Sequence, residues 1–425
     1  VQGEAFDYPK IFFEEQVHKI RRVYPDKNQI INVVEEIKKS KQPIIISGGG
    51  VLYSEAEQEL SIFAKKHNIP VTTTAMGIGC MDRDDPYNIG PIGCLGVGSA
   101  NNLSKDADLV ISVGTKLSDF TTGSWSNFHN PNFKLISLNT ARFDVTKHRA
   151  IPLISDAKIG LNEISKSLGD WKSPDNWYQR SKKEAKAWDQ YVEKQSGPTN
   201  QKLPSYAQTV GAVYRNADPS DIVVTAAGGL VGEVVQVWKP KQINTFETEW
   251  GFSCMGYEIS GALGIKMAKP DQDVIVFVGD GSYLLHNSDI YSSVIYEKKL
   301  IIIVCDNGGH MVINRLQLAK GGKEYLSNLK AARATNFVEV DFAKHAESMG
   351  AETETVTSTS ELEGAFLRAK KSKKTYVITI KTHGYEWLEG TAFWESPTLE
   401  VYSTEENKKA YQEHSKGKAK QRHGV

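Results

Sequence analysis

Nowhere does the chain run to the ~18 consecutive apolar residues that a membrane-crossing helix needs, so a helical membrane protein is excluded. Neither sign of charge is in excess. The 51 Lys and Arg balance the 51 Asp and Glu, for a formal net charge of +0. A chain with no basic surplus is not built mainly to hold nucleic acid or an anionic bilayer. Cysteine is scarce: Cys80, Cys94, Cys254 and Cys305 are scattered, with no CxxC pair and no histidine cluster beside them. That excludes a disulfide or zinc framework and leaves reduced thiols in a cytoplasm as the expectation. The opening residues, VQGEAFDYPKIFFEEQ, hold no basic stretch followed by an apolar one, so no secretory signal is read there. They also lack an initiator methionine, and the chain is expected to be a fragment.

What remains is an ordinary globular composition, 40% hydrophobic and 24% charged, over 425 residues. That length suffices for two or three domains with proper cores. Residues 1–28 read as a linker. From 29 to 168, helices alternate with short apolar strands: INVVEEIKKS (31–40) and SEAEQELSIFAKKH (54–67) have helical spacing. QPIIISGGG (42–50), IPVTTTA (69–75), ADLVISVG (107–114), FKLISLN (133–139) and AIPLISD (150–156) read as buried strands. Continuous Ile/Val/Leu runs separated by helices predict a doubly wound, mostly parallel sheet, here a middle Rossmann-like domain. Residues 169–204 read as a helical connection that breaks at Gly197, Pro198 and Pro204. A second α/β unit is expected over 205–390, with strands at 221–226, 273–280, 299–307 and 375–381. Residues 391–425 read as a polar tail, poorly ordered unless it docks.

The chemical signal lies at VFVGDGSYLLHNS (276–288), where an apolar strand runs into Gly279-Asp280-Gly281-Ser282 and then a helical pattern. The strand KLIIIVCDNGGH (299–310) follows, placing Asn307 27 positions after Asp280. That interval fits one strand–helix–strand crossover, which brings both residues to the carboxyl edges of neighbouring strands, where ligands bind. Magnesium takes about six hard oxygen ligands. Asp280 can give a carboxylate oxygen, Asn307 an amide oxygen, and the glycine turn a main-chain carbonyl, that of Gly309. Two diphosphate oxygens and a water complete such a shell. Gly281 and Ser282 stand at a helix start, where free N–H groups favour anions. A lone GDG is more simply a strand-to-turn punctuation with Asp280 as an N-cap. The strand, the Asp-Asn-Gly-Gly turn and the crossover spacing together favour the magnesium–diphosphate site.

These motifs resemble the signature of the thiamine diphosphate enzyme superfamily: GDG, a crossover, then a terminal Asn. GFSCMGYEISGALG (251–264) resembles the segment under the thiamine ring. The resemblance puts Met255 where a bulky apolar residue holds the cofactor bent, with main-chain groups of Ser253 and Met255 on the aminopyrimidine edge. VVTAAGGLVGE (223–233) resembles the first diphosphate loop, with Gly228, Gly229 and Leu230 at the contact turn. VQGEAFDYP, WGFSCMGYE, GDGSYLLHNS and DNGGHMVINRLQ further resemble the trihydroxycyclohexane-1,2-dione hydrolases, ring-opening enzymes of bacterial inositol breakdown. The likeness runs over essentially the whole chain. It implies thiamine diphosphate and Mg2+ as cofactors and a cyclic 1,2-diketone as substrate. The ring bond between the two carbonyls is hydrolysed without redox to an acid and an aldehyde, 5-deoxyglucuronate. It also implies a site completed by a pyrimidine-binding domain, which holds the activating glutamate and is not read in this chain. A homo-oligomer or a partner chain would supply it. Two acids near the motifs are not expected to replace that glutamate: Glu258 lies on the helix under the ring, and Asp306 should face away from Asn307. His286 departs from the apolar residue the resemblance implies.

Other readings stay open. An acetolactate synthase-like 2-keto acid carboligase would share every cofactor motif, and a non-catalytic fragment could hold cofactor without turnover. A nucleotide-dependent oxidoreductase is disfavoured, because Gly48-Gly49-Gly50 is followed by Val51-Leu52-Tyr53 and gives no GxGxxG. GTKLSDFTTGSW (114–125) could line a pocket or be a plain loop. His310, after the metal turn, could touch substrate or phosphate, or be a satisfied structural residue.

Overall fold

The computed structural model describes residues 2–331 and 338–422. Two six-stranded, all-parallel sheets carry the chain. The first comprises β1 (Pro43–Ser47), β2 (Val71–Thr73), β3 (Asn88–Pro91), β4 (Leu109–Val113), β5 (Lys134–Asn139) and β6 (Ile151–Ile154), in the order β3-β2-β1-β4-β5-β6. The second comprises β7 (Ile222–Thr225), β8 (Phe246–Thr248), β9 (Val274–Gly279), β10 (Ile301–Asp306), β11 (Glu352–Val356) and β12 (Tyr376–Lys381), in the order β11-β12-β10-β9-β7-β8. The central strands PIIIS, LVISV and IIIVCD are buried along nearly their whole length. Helices on both faces take up the alternating side chains, as parallel sheets require. The α/β, doubly wound reading therefore holds.

Three strands escape the apolar-run reading: β3 (NIGP), β8 (FET) and β11 (ETETV). All three lie at sheet edges. An edge strand needs no continuous apolar run, because one of its sides has no neighbour to pack. The helix read over 54–67 is also corrected. A short helix, Gly49–Tyr53, precedes it, and the main helix runs Glu57–His67 after a break in which Glu55 takes φ +52°.

Docking of the amino-terminal segment begins before residue 29. The Arg22 guanidinium reaches both Asp156 carboxylate oxygens (3.0 and 3.1 Å) and the Ser54 carbonyl (2.6 Å). The helix Asp175–Gln195 buries Trp177, Trp188 and Val192, and the Trp177 indole N–H donates to the Pro43 carbonyl at 2.9 Å. Those three side chains join a core that also contains Ile44 of the first sheet and Val223 of the second.

The segment read as a poorly ordered tail is instead folded onto the first sheet's unit; only its residues 423–425 lie outside the described residues. Thr404 caps the helix Glu405–Lys418 by accepting the Asn407 N–H. Ala392 N–H donates to Gly93 O at 3.1 Å, Gln421 Nε2 to Ser124 O at 2.9 Å, and Arg422 to the Asn130 carbonyl at 2.9 Å. The stretch 114–125, open between pocket and loop, is where this segment lands. Its Asp119 carboxylate accepts the Trp394 indole N–H, and Ser124 Oγ accepts the Glu395 N–H. Among the described residues no helix is long and apolar enough to cross a membrane.

Candidate functional site

In a doubly wound sheet, ligands bind beyond the carboxyl ends of the strands, where the strand order reverses. In the second sheet the order reverses between β7 and β9. β7 runs out into Ala226–Gly229, β9 into Asp280, and its neighbour β10 into Asn307-Gly308-Gly309. The sequence expectation that Asp280 and Asn307 sit at neighbouring strand ends is therefore met.

The register pairs Cys305 with Gly279, which puts Asp306 level with Asp280. Asn307 meets Tyr206 in the core that holds Ile303 and Cys305, while Ile302 and Val304 face the other core, and by alternation that other side belongs to Asp306. Its Oδ1 accepts the Gly308 N–H at 3.0 Å, and Asp280 Oδ2 accepts the same N–H at 3.0 Å and that of Gly309 at 2.6 Å. The glycine turn after β10 brings the Gly308 and Gly309 N–H groups back toward both carboxylates. Asp280 is 3% exposed. Burial, and then the neighbouring Asp306 carboxylate, push its carboxyl well above the usual carboxylate range. Lys381 reaches Asp306 Oδ2 at 3.1 Å but is itself well exposed. Such a pair of carboxylates is a natural seat for a cation.

Asn307 supplies the sharper observation. Its Nδ2 donates to the hydroxyl of buried Tyr206 at 2.6 Å, which fixes the amide orientation. Its Oδ1 is then left buried with no hydrogen-bond partner. A buried oxygen without a donor is costly unless a ligand answers it. One carboxylate, one free amide oxygen and a glycine turn are the donor set that magnesium shares with a diphosphate, so the residues present fit both groups. The Gly309 carbonyl accepts the Met311 N–H at 3.0 Å, and Gly309 takes φ +139°, which favours glycine.

The other predicted residues cluster around this turn. Gly279 ends β9, and buried Ser282 lies in the helix Asp280–Leu285. A Cβ on Gly281 would lie 2.6 Å from His310 Nδ1 and 3.5 Å from the Met255 methyl, so His310 and Met255 both rest against the GDG turn. Gly228 takes φ +78°, and a Cβ on Gly229 would strike the Trp387 ring. Leu230 is buried at the start of the helix Leu230–Val237. Ser253, with φ +53°, is exposed in a loop that Glu249 gathers by accepting the Phe252 and Cys254 N–H groups, each at 2.8 Å. His286 packs its Cβ against Gly256 and reaches Asp289 at 3.3 Å, so its polar end is satisfied at the surface.

Sequence reading missed several buried groups at this site. Glu233, 3% exposed, accepts the Leu388 N–H at 3.1 Å through one oxygen and leaves the other unpartnered. Burial pushes its carboxyl up to about 7, against the pull of that N–H and of Arg315. The Arg315 guanidinium lies over the Trp387 ring at 4.9 Å. Glu258, 1% exposed, accepts the Ala227 and Gly256 N–H groups. Sequence reading placed Glu258 on the helix under the ring but gave neither it nor Glu233 a role, since a Glu in a first helical turn is common. A cavity of about 190 Å3 lies between Gly49–Tyr53 with Ala75–Ile78 on one side and Asn244–Thr248 on the other. Glu247 is half-buried on its wall, and the Thr248 hydroxyl is buried without a partner.

Comparison with known proteins agrees with this geometry. Residues 30–164 match the thiamine pyrophosphate enzyme central domain, and residues 226–380 match the thiamine pyrophosphate enzyme C-terminal TPP binding domain. The chain is 36% identical to the 3D-(3,5/4)-trihydroxycyclohexane-1,2-dione hydrolase of Geobacillus thermodenitrificans, over 97% of this chain and 68% of that protein. It is 34% identical to the same enzyme of Lacticaseibacillus casei, with the same coverage. For that of Clostridium tetani the identity is 35%, over 97% of this chain and 69% of the relative. The chain therefore belongs to the thiamine pyrophosphate enzymes, in the family of the 3D-(3,5/4)-trihydroxycyclohexane-1,2-dione hydrolases.

Proposed function

We propose that this protein hydrolyses the carbon–carbon bond between the two carbonyls of a cyclic 1,2-diketone, the trihydroxycyclohexane-1,2-dione named for its relatives. Thiamine diphosphate and Mg2+ would be held at the carboxyl edge of β7, β9 and β10. The observation that carries this reading is the buried, partnerless Oδ1 of Asn307 beside the Asp280 carboxylate. Asp280, Asn307 and the Gly309 carbonyl are the proposed metal ligands, and Tyr206 orients the amide. Gly228, Gly229, Leu230, Gly279, Gly281, Ser282 and His310 surround the diphosphate, with Ser253 and Met255 toward the ring end. When bound, thiamine diphosphate supplies a carbon nucleophile and an electron sink for the carbonyl carbon. The chain's own work is to bind, orient and exclude water.

On the substrate side, Glu247 and Thr248 line the 190 Å3 cavity. Such groups recognise the hydroxyls of a polyol ring. Both stand in β8, which the Glu249–Met255 loop follows directly. At the rim of the site Phe252 is 91% exposed and Leu285 63%. Apolar side chains so placed suit contact with a second subunit or a partner chain. We read the protein as a cytoplasmic enzyme of inositol breakdown that works as such an assembly.

The test is product analysis with thiamine diphosphate, Mg2+ and either the cyclic dione or pyruvate. Ring-opened acid-aldehyde from the dione alone is expected. Acetolactate from pyruvate, with the dione untouched, would replace this reading by the carboligase one.

A further inference from the structure

We infer that Glu258 is a positioning residue for the cofactor: a single buried carboxylate that locks together two of the backbone segments converging on thiamine diphosphate. Glu258 stands in the first turn of the helix Tyr257–Ala268 and is 1% exposed. Its Oε1 accepts the Ala227 N–H at 3.1 Å, and its Oε2 accepts the Gly256 N–H at 2.8 Å. The Ser282 side chain stands beside the same carboxylate. Ala227 immediately precedes the Gly228-Gly229 turn, Gly256 immediately follows Met255, and Ser282 follows the GDG glycine. The two N–H donors thus come from the loop after β7 and the loop after β8, and the neighbouring Ser282 from the turn after β9.

A carboxylate is the one side chain that accepts at both ends and donates at neither. Here that property is used at both ends, because each oxygen takes an N–H from a different loop. The helix cap would need only the contact to Gly256, two residues away. The contact to Ala227, 31 residues away, ties the helix start to the first diphosphate turn. Pinning Gly256 also constrains its neighbour Met255, whose methyl lies against Gly281. Outer partners of this kind hold ligand-contacting groups in register, and their loss typically costs about 10–100-fold in affinity.

This inference rests on the cofactor reading above and not on the dione. Its test is Glu258→Gln, which keeps size and shape but turns one acceptor into an NH2 that faces an N–H donor. Two probes are titrated calorimetrically with Mg2+: thiamine diphosphate and inorganic pyrophosphate. The variant is expected to melt close to wild type without ligand. It should lose about 10-fold or more in affinity for thiamine diphosphate, and less for pyrophosphate, which does not touch the Met255 segment. Unchanged affinities, or a lowered melting temperature with both affinities unchanged, would reduce Glu258 to a helix cap and overturn the inference. Equal losses for both probes would also overturn it, because they would confine the effect to the diphosphate turns. If Glu258→Gln is not recovered folded, Glu258→Asp is judged by the same criteria, since its shorter stem cannot span both N–H groups. A wild-type protein that binds neither probe overturns this inference together with the cofactor site. Failure of the dione assay leaves the inference untouched, because no dione enters these titrations.

Discussion

Two parallel sheets of the same size end in glycine-rich turns at their strand-order reversals, and the two turns do opposite things. In the first sheet the turn after β1 is closed on itself: a Cβ on Gly50 would lie 2.6 Å from Gly114 Cα, and one on Gly48 would lie 2.4 Å from the Gly114 carbonyl oxygen. There the glycines let backbone pack on backbone. In the second sheet a Cβ on Gly228, Gly279 or Gly308 would meet no atom within 4 Å. Those glycines clear space, and the buried polar atoms around them, Asn307 Oδ1, Glu233 Oε2 and Trp387 Nε1, lack partners. A glycine run after a buried strand therefore does not mark a ligand site by itself. What the glycines face decides it.

The sharpest way to break this contrast is Asp280→Ala. If the open turn is the metal site, magnesium-dependent binding of thiamine diphosphate should weaken by more than about 100-fold, beyond what loss of a mere supporting partner costs. The melting temperature without cofactor should stay close to wild type, since loss of a buried carboxylate favours the variant while the freed Gly308 and Gly309 N–H groups oppose it. Unchanged cofactor affinity in a calorimetric titration would return the open turn to plain structure.

Glu233 sharpens the same contrast through pH. Burial raises its carboxyl from 4.5 to about 7, so between those values the folded protein keeps a proton that the unfolded chain has released. The stability from that proton is complete below about pH 4.5 and is lost as pH rises through about 7. Wild-type stability should fall over that window by an amount on the order of 3 kcal/mol, and Glu233→Gln should flatten the fall and be the more stable form at pH 8. Parallel melting curves for the two proteins across the window would mean that Arg315 or water neutralises the carboxylate.

Matched glycine substitutions probe the comparison directly. Gly50→Ala forces a methyl into Gly114 and should destabilise by about 1–3 kcal/mol, a melting shift of roughly 5 °C, with cofactor affinity kept. Gly279→Ala meets open space in the protein alone and should leave the melting temperature nearly unchanged. It should weaken cofactor binding if the diphosphate approaches that backbone. If the two readouts are exchanged, the assignment of the two turns is wrong. The smallest effect is expected from Thr248→Val, which replaces a partnerless buried hydroxyl with a methyl. The KM for the cyclic dione should rise about 2–10-fold, the worth of one hydrogen bond, with cofactor affinity untouched. An unchanged KM would remove the cavity from the substrate path.

The legibility of this chain follows the same physics. Central strands are buried on both faces and announce themselves as Ile/Val/Leu runs, so nine of the twelve were readable. The edge strands β3, β8 and β11 carry Asn, Gly, Pro, Glu and Thr and read as loops. Asp280 and Asn307 were legible because metal chemistry demands those residue types at a crossover interval. Glu258 and Glu233 were not, because their meaning lies in what surrounds them, partners 31 and 155 positions away. Strand alternation told Asp306 from Asn307 correctly, but not that the glycine turn would bring the Gly308 N–H to both Asp306 and Asp280. The carboxyl-terminal helix reads as solvated because only Ala410 and His414 along it are buried.

The clasp of residues 390–422 has a consequence for how the chain is made. Gln421 bonds Ser124 across 297 positions of sequence, and Arg422 bonds Asn130 across 292. Closing so long a loop costs only slowly more entropy than closing a short one, but it cannot begin until the ribosome has delivered the far partner. The first sheet, though encoded early, must wait with its 114–125 rim uncovered while some 300 further residues are synthesised. Synthesis at about 5–20 residues per second makes that wait tens of seconds, during which Trp125 and its neighbours stand open to whatever else in the cell can cover them.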